Sequence, residues 1–147
     1  MNIAAHIVVA DAAEASAWYA NAFGARELNR IPLPGDKLMS VELAFGDSVV
    51  HVGSEFPDVG ILSPLTIGGT ATVLQLYCAE VDEVWERAVE AGAEIRTPLG
   101  DTFWGDRHGQ LTDPFGHRWN LARHDRDVPA DEIERSAAEA FGITEGS

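Results

Sequence analysis

The stretch Ala22-Phe23-Gly24-Ala25-Arg26-Glu27 returns, altered but recognisable, as Glu90-Ala91-Gly92-Ala93-Glu94-Ile95. An internal repeat organises a reading of a chain because each copy builds the same local structure. Each copy here closes a helix-like segment. Over residues 11–23, Ala15, Trp18, Tyr19 and Phe23 recur at helical spacing; over residues 81–91, Val81, Val84, Trp85, Ala88 and Ala91 do the same. Gly24 and Gly92 stand where a helix C-terminus favours a left-handed residue. Asp11 and Glu80 stand near the helix starts, where a carboxylate suits the helix dipole.

Outward from the helices, an apolar or alternating run precedes each, at residues 3–10 and 72–78. Three strand-like runs follow each: 26–31, 37–45 and 48–53 after the first, 94–97, 107–112 and 117–122 after the second. Phe45-Gly46-Asp47 and Phe115-Gly116-His117 occupy matching turns. Each half therefore reads β-α-β-β-β, and the fold class is α+β. Module 1 covers about residues 1–56, a Gly/Pro-containing linker 57–69, and module 2 about 70–124. Neither half buries both helix and sheet faces well alone, so one domain of two modules is expected over residues 1–147. Pro129-Ala130-Asp131-Glu132 opens an amphipathic helix over 129–141, with Ile133, Ala137 and Phe141 on one stripe. That helix is expected to cap the domain or to reach a second subunit.

Composition bounds the partners. The 147 residues are 46% hydrophobic and 23% charged, as in a globular protein. The formal charge of -14, from 24 acids against 10 bases, would repel a nucleic-acid backbone. It suits a cationic small molecule, or it serves solubility alone. No apolar run approaches the roughly 18 to 20 residues that span a bilayer, so no membrane association is expected. Residues 1–10 lack a basic leader segment and run directly into a strand pattern, so no signal peptide is expected. Cys78 is the sole cysteine and forms no internal disulfide; a cytoplasmic protein is the simplest expectation. No Gly-x-Ser-x-Gly, phosphate loop, dinucleotide fingerprint or paired-cysteine metal motif occurs.

Two longer stretches carry a family likeness. Asp11-Ala-Ala-Glu-Ala-Ser-Ala-Trp-Tyr-Ala-Asn-Ala-Phe-Gly-Ala resembles the first helix of the PhnB-like branch of the vicinal oxygen chelate (glyoxalase/bleomycin-resistance/dioxygenase) superfamily. Phe103-Trp-Gly-Asp-Arg-His-Gly-Gln-Leu-Thr-Asp-Pro-Phe-Gly-His-Arg-Trp-Asn-Leu resembles its second-module signature, and Asp127-Val-Pro-Ala-Asp-Glu-Ile-Glu-Arg resembles its tail. The resemblance implies a curved mixed sheet around a cleft and a homodimer, often with exchanged modules. It leaves chemistry open, because the superfamily holds metal-dependent lyases and dioxygenases, thiol-transferring resistance enzymes and metal-free antibiotic binders.

The metal enzymes it resembles place His or Glu on the concave face. Counting from the helix signature puts the first such position at Ala4 and its second-module equivalent near Val73; counting from Gly116 gives Asn120. The same count from Gly46 gives Val50, with His51 adjacent but on the wrong parity. Ala and Val bind no metal and Asn binds one poorly, so no metal and no cofactor are expected at the usual site. A new site from His6, Glu42 and His51 is conceivable by residue type, provided parity slips at His51.

Strand alternation names what faces the cleft instead. Ile7, Val9, Val41, Leu43, Leu74, Leu76, Leu111, Trp119 and Leu121 belong to the apolar parity. His6, Glu42, Gln75, Tyr77, Gln110 and Asn120 take the other, with Ser40, His108, Thr112 and Arg118 beside them. Trp104, in a Gly-containing loop, is placed to stack on a flat or cationic ligand, or else to anchor the dimer. Arg107 joins the candidate ligand set, with a loop-fixing pair to Asp106 as its alternative. His117 resembles a structural residue of the family. Trp18, Trp85 and Trp119 read as core, and Cys78 has no adjacent base that would make it a nucleophile. The preferred expectation is a homodimer that binds a small organic ligand, cationic or aromatic, and sequesters an antibiotic or other natural product without metal. The alternatives are a metal-dependent lyase, isomerase or dioxygenase with a relocated site, and a regulatory or structural dimer with a vestigial cleft.

Overall fold

The computed structural model describes residues 1–143. Module 1 contains β1 (Ala5–Val9), α1 (Ala12–Phe23), β2 (Arg26–Leu33), β3 (Lys37–Phe45) and β4 (Ser48–Ser54). A 3-10 turn at Pro57–Val59 and a short helix α2 (Pro64–Ile67) follow. Module 2 contains β5 (Val73–Tyr77), α3 (Val81–Glu90), β6 (Glu94–Asp101), β7 (Asp106–Thr112) and β8 (Arg118–His124), and α4 (Ala130–Ala140) comes last. The βαβββ repeat read from the sequence is thus observed. The two sheets have the same order, β1-β4-β3-β2 and β5-β8-β7-β6. In each, the first and last strands of the module pair in parallel and the remaining pairs are antiparallel.

Local chemistry sets the helix ends. The Asp11 carboxylate accepts from the backbone N–H of Ala13 and Glu14, and Gly24 closes α1 in the left-handed region at φ 71°. Gly92 likewise has positive φ, just past the end of α3. Glu80 stands at the N-cap of α3 but makes no side-chain cap bond there; Asp82 and Glu83 supply the acidic first turn.

The core lies between the two sheets. Helices α1 and α3 pack side by side, and the aromatic rings of Tyr19, Phe23, Phe45, Phe115 and Trp119 meet across the module boundary. Asp113, only 4% exposed, organises this junction. Its carboxylate accepts from Tyr19 Oη at 2.5 Å, from Trp119 Nε1 at 2.9 Å, and from the N–H groups of Phe115 and His117. Burial, with the Asp113 charge adding to it, pushes the Tyr19 phenol above its ordinary range. The His117 ring bonds the Val8 carbonyl at 2.7 Å and Trp18 donates to the Ala91 carbonyl at 2.8 Å, so the structural role expected for His117 is seen.

Residues 57–69 are more than a plain linker. Ser63, fully buried, caps α2 and bonds Glu55, while Pro64 lies close over Gly116. The tail helix does form, yet it buries no residue fully, and Phe141 is left largely exposed.

Candidate functional site

Because the helices occupy the space between the sheets, the opposite face of each sheet points outward. Register then aligns three polar side chains across neighbouring strands of module 1. His51 pairs with His6 on β1 and with Glu42 on β3. The His6 and His51 rings stack with centroids 6.0 Å apart, and His51 Nδ1 lies 3.6 Å from Glu42 Oε1. The expected wrong parity of His51 is therefore corrected. The β3–β4 turn is two residues, with Phe45 paired to Ser48, whereas five residues separate Thr112 from Arg118 in module 2. The count from the turn glycine slips by one, and Val50, 8% exposed, belongs to the core face.

Beside His6 the sheet face is hollow. A depression of about 410 Å³ is lined by His6, Leu33, Met39, Phe56, Ile61 and the strand backbone around Gly53. Two local features create it. A register shift between Ile31 and Pro32 skips Met39, which projects onto the face. Gly53 makes room for the imidazole, since a Cβ there would sit 2.9 Å from His6 Nε2.

Module 2 carries the matching row in amides. Gln110 Nε2 donates to Asn120 Oδ1 at 3.0 Å, Asn120 Nδ2 donates to Gln75 Oε1 at 3.4 Å, and Gln75 Nε2 donates to the Tyr77 hydroxyl at 2.8 Å. Trp104 closes the end of this face. Its ring lies edge-on to His108 at 5.4 Å and its Nε1 donates to Asp106. Burial lowers the basicity of His108. Asp106, 6% exposed, binds His124 Nδ1 at 2.8 Å, while Asp127 binds His124 Nε2 at 2.7 Å. Those two carboxylate bonds raise the His124 pKa and clasp the chain just before α4. Gly105 sits under this strap at φ 98°, where a Cβ would meet the Arg126 carbonyl oxygen at 2.1 Å.

Of the candidates, His6 and Glu42 stand together on module 1. Gln75, Tyr77, Gln110, Asn120 and Trp104 stand together on module 2. One chain does not bring the two groups into a single cleft, because α1 and α3 fill the space between the sheets. Arg107 belongs with neither group. It reaches the helix side of its sheet and binds Asp82 bidentately, at 2.7 to 3.1 Å, with Asp101 beyond. That bond also holds Asp82 below the usual carboxylate range. The expected Asp106–Arg107 pair is replaced by these partners, because adjacent strand residues point to opposite faces. Sequence reasoning missed Asp113 and the Met39–Gly53 hollow. A bulge and a junction between distant segments leave no periodic signal.

Residues 3–121 match the Glyoxalase/Bleomycin resistance protein/Dioxygenase superfamily. The chain belongs to this superfamily. The uncharacterized protein Rv0887c of Mycobacterium tuberculosis (strain ATCC 25618 / H37Rv) is 40% identical over 132 residues, spanning 88% of this chain and 78% of its own. The uncharacterized protein Mb0911c of Mycobacterium bovis shares 40% over 132 residues, 88% of this chain and 87% of its own. Among solved structures, TioX from Micromonospora sp. ML1 is similar at TM-score 0.67 and 29% identity, covering 84% of this chain and 98% of TioX. PA1353 from Pseudomonas aeruginosa shares the fold at TM-score 0.71 and 22% identity, over 86% and 99% of the two chains. Within the glyoxalase superfamily frame, Ala4 precedes β1, Val73 begins β5 and Asn120 is tied into the amide chain. Among the described residues no three His, Cys, Asp or Glu side chains stand close enough to hold a metal. No helix of the described residues is long and apolar enough to cross a membrane.

Proposed function

We propose that this glyoxalase-superfamily chain binds a small, largely apolar or aromatic organic molecule without catalysis, in the manner of a sequestering protein for an antibiotic or other natural product. The observation that carries the reading is the hollow of about 410 Å³ in which Leu33, Met39, Phe56 and Ile61 stand around His6, with Ser40, Gly53 and Ser54 completing the lining. An apolar concavity with few placed polar groups is the usual form of a small-molecule site. The reading extends to a homodimer. One chain leaves both outer sheet faces open, with Met39, Val73 and Tyr77 exposed, and a module from a second copy would close the hollow. A cytoplasmic location and membership of the PhnB-like branch belong to the same proposal; a PhnB protein from Bacillus cereus shares the fold at TM-score 0.64 and 16% identity.

The test is a thermal-shift panel of aromatic natural products, since a ligand that binds only the native state raises apparent stability. At least one compound should raise the melting temperature of the parent, and His6→Ala and Gly53→Ala should abolish the rise while remaining folded. A panel with no effect, or variants that respond like the parent, would sink the proposal. A monomer in sedimentation at micromolar concentration would remove the second copy from it.

A second reading, a relocated metal enzyme, is favoured by the in-register His6, His51 and Glu42 on three adjacent strands. Rotation of these exposed side chains toward one point would give a His/His/carboxylate set of the type that zinc or iron accepts. Metal analysis of untagged protein separates the two readings. About one tightly held transition metal per chain, lost in His51→Ala, would favour the enzyme.

A further inference from the structure

We propose that Arg96, Thr112 and Arg118 form an oxyanion-binding cradle on the outer face of module 2, taking the carboxylate or phosphoryl group of a small molecule. The cradle does not rest on the hollow of module 1. It lies along a separate groove of about 470 Å³, walled by the linker at Pro64, Leu65 and Gly69 and floored by Thr112 and Arg118.

Three observations converge. The first is position. Thr112 and Arg118 are register partners on β7 and β8, and Arg96 comes from β6 on the other side of Thr112. The two arginines are thus two strands apart, about 10 Å at the backbone, a span that long guanidinium side chains close on a small anion. Arg96 sits where the β6–β7 register shifts between Ile95 and Thr97, and such an irregularity re-aims a side chain. Its Nε donates to Thr112 Oγ1 at 2.9 Å, which holds the guanidinium over the groove and leaves the threonine hydroxyl free to donate.

The second is charge. Of the nine arginines in a chain with 24 acids and 10 bases, Arg30, Arg107, Arg123 and Arg135 each have a carboxylate within 4.0 Å, and Arg96 and Arg118 share one groove without such a partner among the described residues. Glu94 lines the same groove, yet among the described residues no carboxylate oxygen comes within 4.0 Å of the charged nitrogens of Arg96 or Arg118. Two such guanidinium groups flanking one hydroxyl repel each other, and a bound oxyanion relieves that repulsion through charge-assisted bonds. The amide row beside them adds unused N–H donors of Gln110 and Asn120 on the same face.

The third is the internal control supplied by the repeat. By register, the module 1 residues at these three places are Leu28, Ala44 and Val49. The scaffold forms the same strands there with apolar side chains, so folding does not call for the arginines. The net acidity that argued for a cationic ligand does not describe this face.

The probes are benzoate and phenyl phosphate, with uncharged benzamide as control, titrated at low salt while the Arg Nε–H and Thr112 amide signals are followed by NMR. Both arginine signals and Thr112 should move with at least one anion and not with benzamide; whichever anion binds more tightly identifies the preferred group. Arg96→Gln and Arg118→Gln should each weaken that binding about fivefold, a figure kept modest by solvent exposure. Arg118→Lys should fall between, and Arg26→Gln, an exposed arginine on module 1, should change nothing. Unmoved signals with both anions, an equal response to benzamide, or an equal loss in Arg26→Gln would overturn the cradle.

Discussion

The two modules share strand order, register and helix placement, yet they agree on one face and disagree on the other. On the helix side, Leu43 answers to Leu111, Val52 to Leu121 and Ile7 to Leu76. On the outer side, an ionisable row of His6, His51 and Glu42 answers to an amide row of Gln75, Asn120 and Gln110. The core face is constrained by packing, which tolerates little change in volume. The outer face carries no such constraint, so its divergence records what each module touches. The turns differ in the same sense. Module 1 turns in two residues with Asp47 exposed, whereas module 2 turns in five around the buried Asp113.

The largest test of that contrast is at the turns. Asp113→Ala strands the Tyr19 hydroxyl, the Trp119 indole N–H and two backbone N–H groups at the module junction. It should cost about 3 to 5 kcal/mol in urea unfolding, whereas Asp47→Ala should stay within about 0.5 kcal/mol. Tyr19→Phe removes a single donor and should cost about 1 to 2 kcal/mol. A loss in Asp113→Ala no larger than that in Tyr19→Phe would mean that Asp113 is not the organising acceptor.

Next come the repeated core positions. Leu43 and Leu111 are 0% and 1% exposed, so truncation of either to Ala should cost about 2 to 5 kcal/mol, and by similar amounts. Leu76 packs only partly buried against the core and should cost less. A wide gap between Leu43→Ala and Leu111→Ala would break the equivalence of the modules on this face.

How much of this was legible in the sequence follows the same division. Helix and strand periodicity located every strand of both modules, because the buried parity repeats at 3.6 or 2.0 residues. Parity set His6, Glu42, Gln75, Tyr77, Gln110 and Asn120 on the polar side of their strands, opposite the apolar parity, but expected them to line one cleft, whereas they stand on two separate sheet faces. It failed for His51 because a turn-length difference is invisible to counting, whereas Arg107 joined the ligand set on residue type against its own parity, which it shares with Leu111 and which aims it at Asp82. Arg96 drew no attention, since only the β6 irregularity gives it a direction. The separation of the two outer faces is a packing property of α1 and α3, which no local pattern encodes.

A smaller effect distinguishes the strap that module 2 alone carries. His124 is held by Asp106 and Asp127, and these bonds raise its pKa in the folded state. A raised value means the contribution is complete below the unfolded histidine value, about 6.5, and is lost as pH climbs through the folded value. The stability difference between parent and His124→Gln should therefore be greatest at mildly acid pH and shrink toward alkaline pH. A difference that grows with pH would show that the clasp does not act through the protonated ring.

The smallest expected effect on folding is the one that bears most on function. If the outer faces are free of structural duty, giving module 1 the row of module 2 should leave the protein folded. The triple variant His6→Gln, His51→Asn, Glu42→Gln performs that exchange. It removes one long, exposed His51–Glu42 contact and one ring stack, so stability at neutral pH should change by no more than about 1 kcal/mol. Glutamine is longer than the imidazole beside Gly53, but the neighbouring hollow of about 410 Å³ has room for it. The same variant should lose the response of the module 1 hollow to aromatic compounds, because the His6 imidazole is gone, while the Arg96–Arg118 groove keeps its anion binding. Circular dichroism, urea unfolding and the two ligand assays on one preparation decide the matter. Cooperative unfolding near the parent midpoint with selective loss at module 1 would locate function in the divergent face. Collapse of the fold would show instead that the ionisable row holds module 1 together, and the contrast between the modules would then be one of architecture.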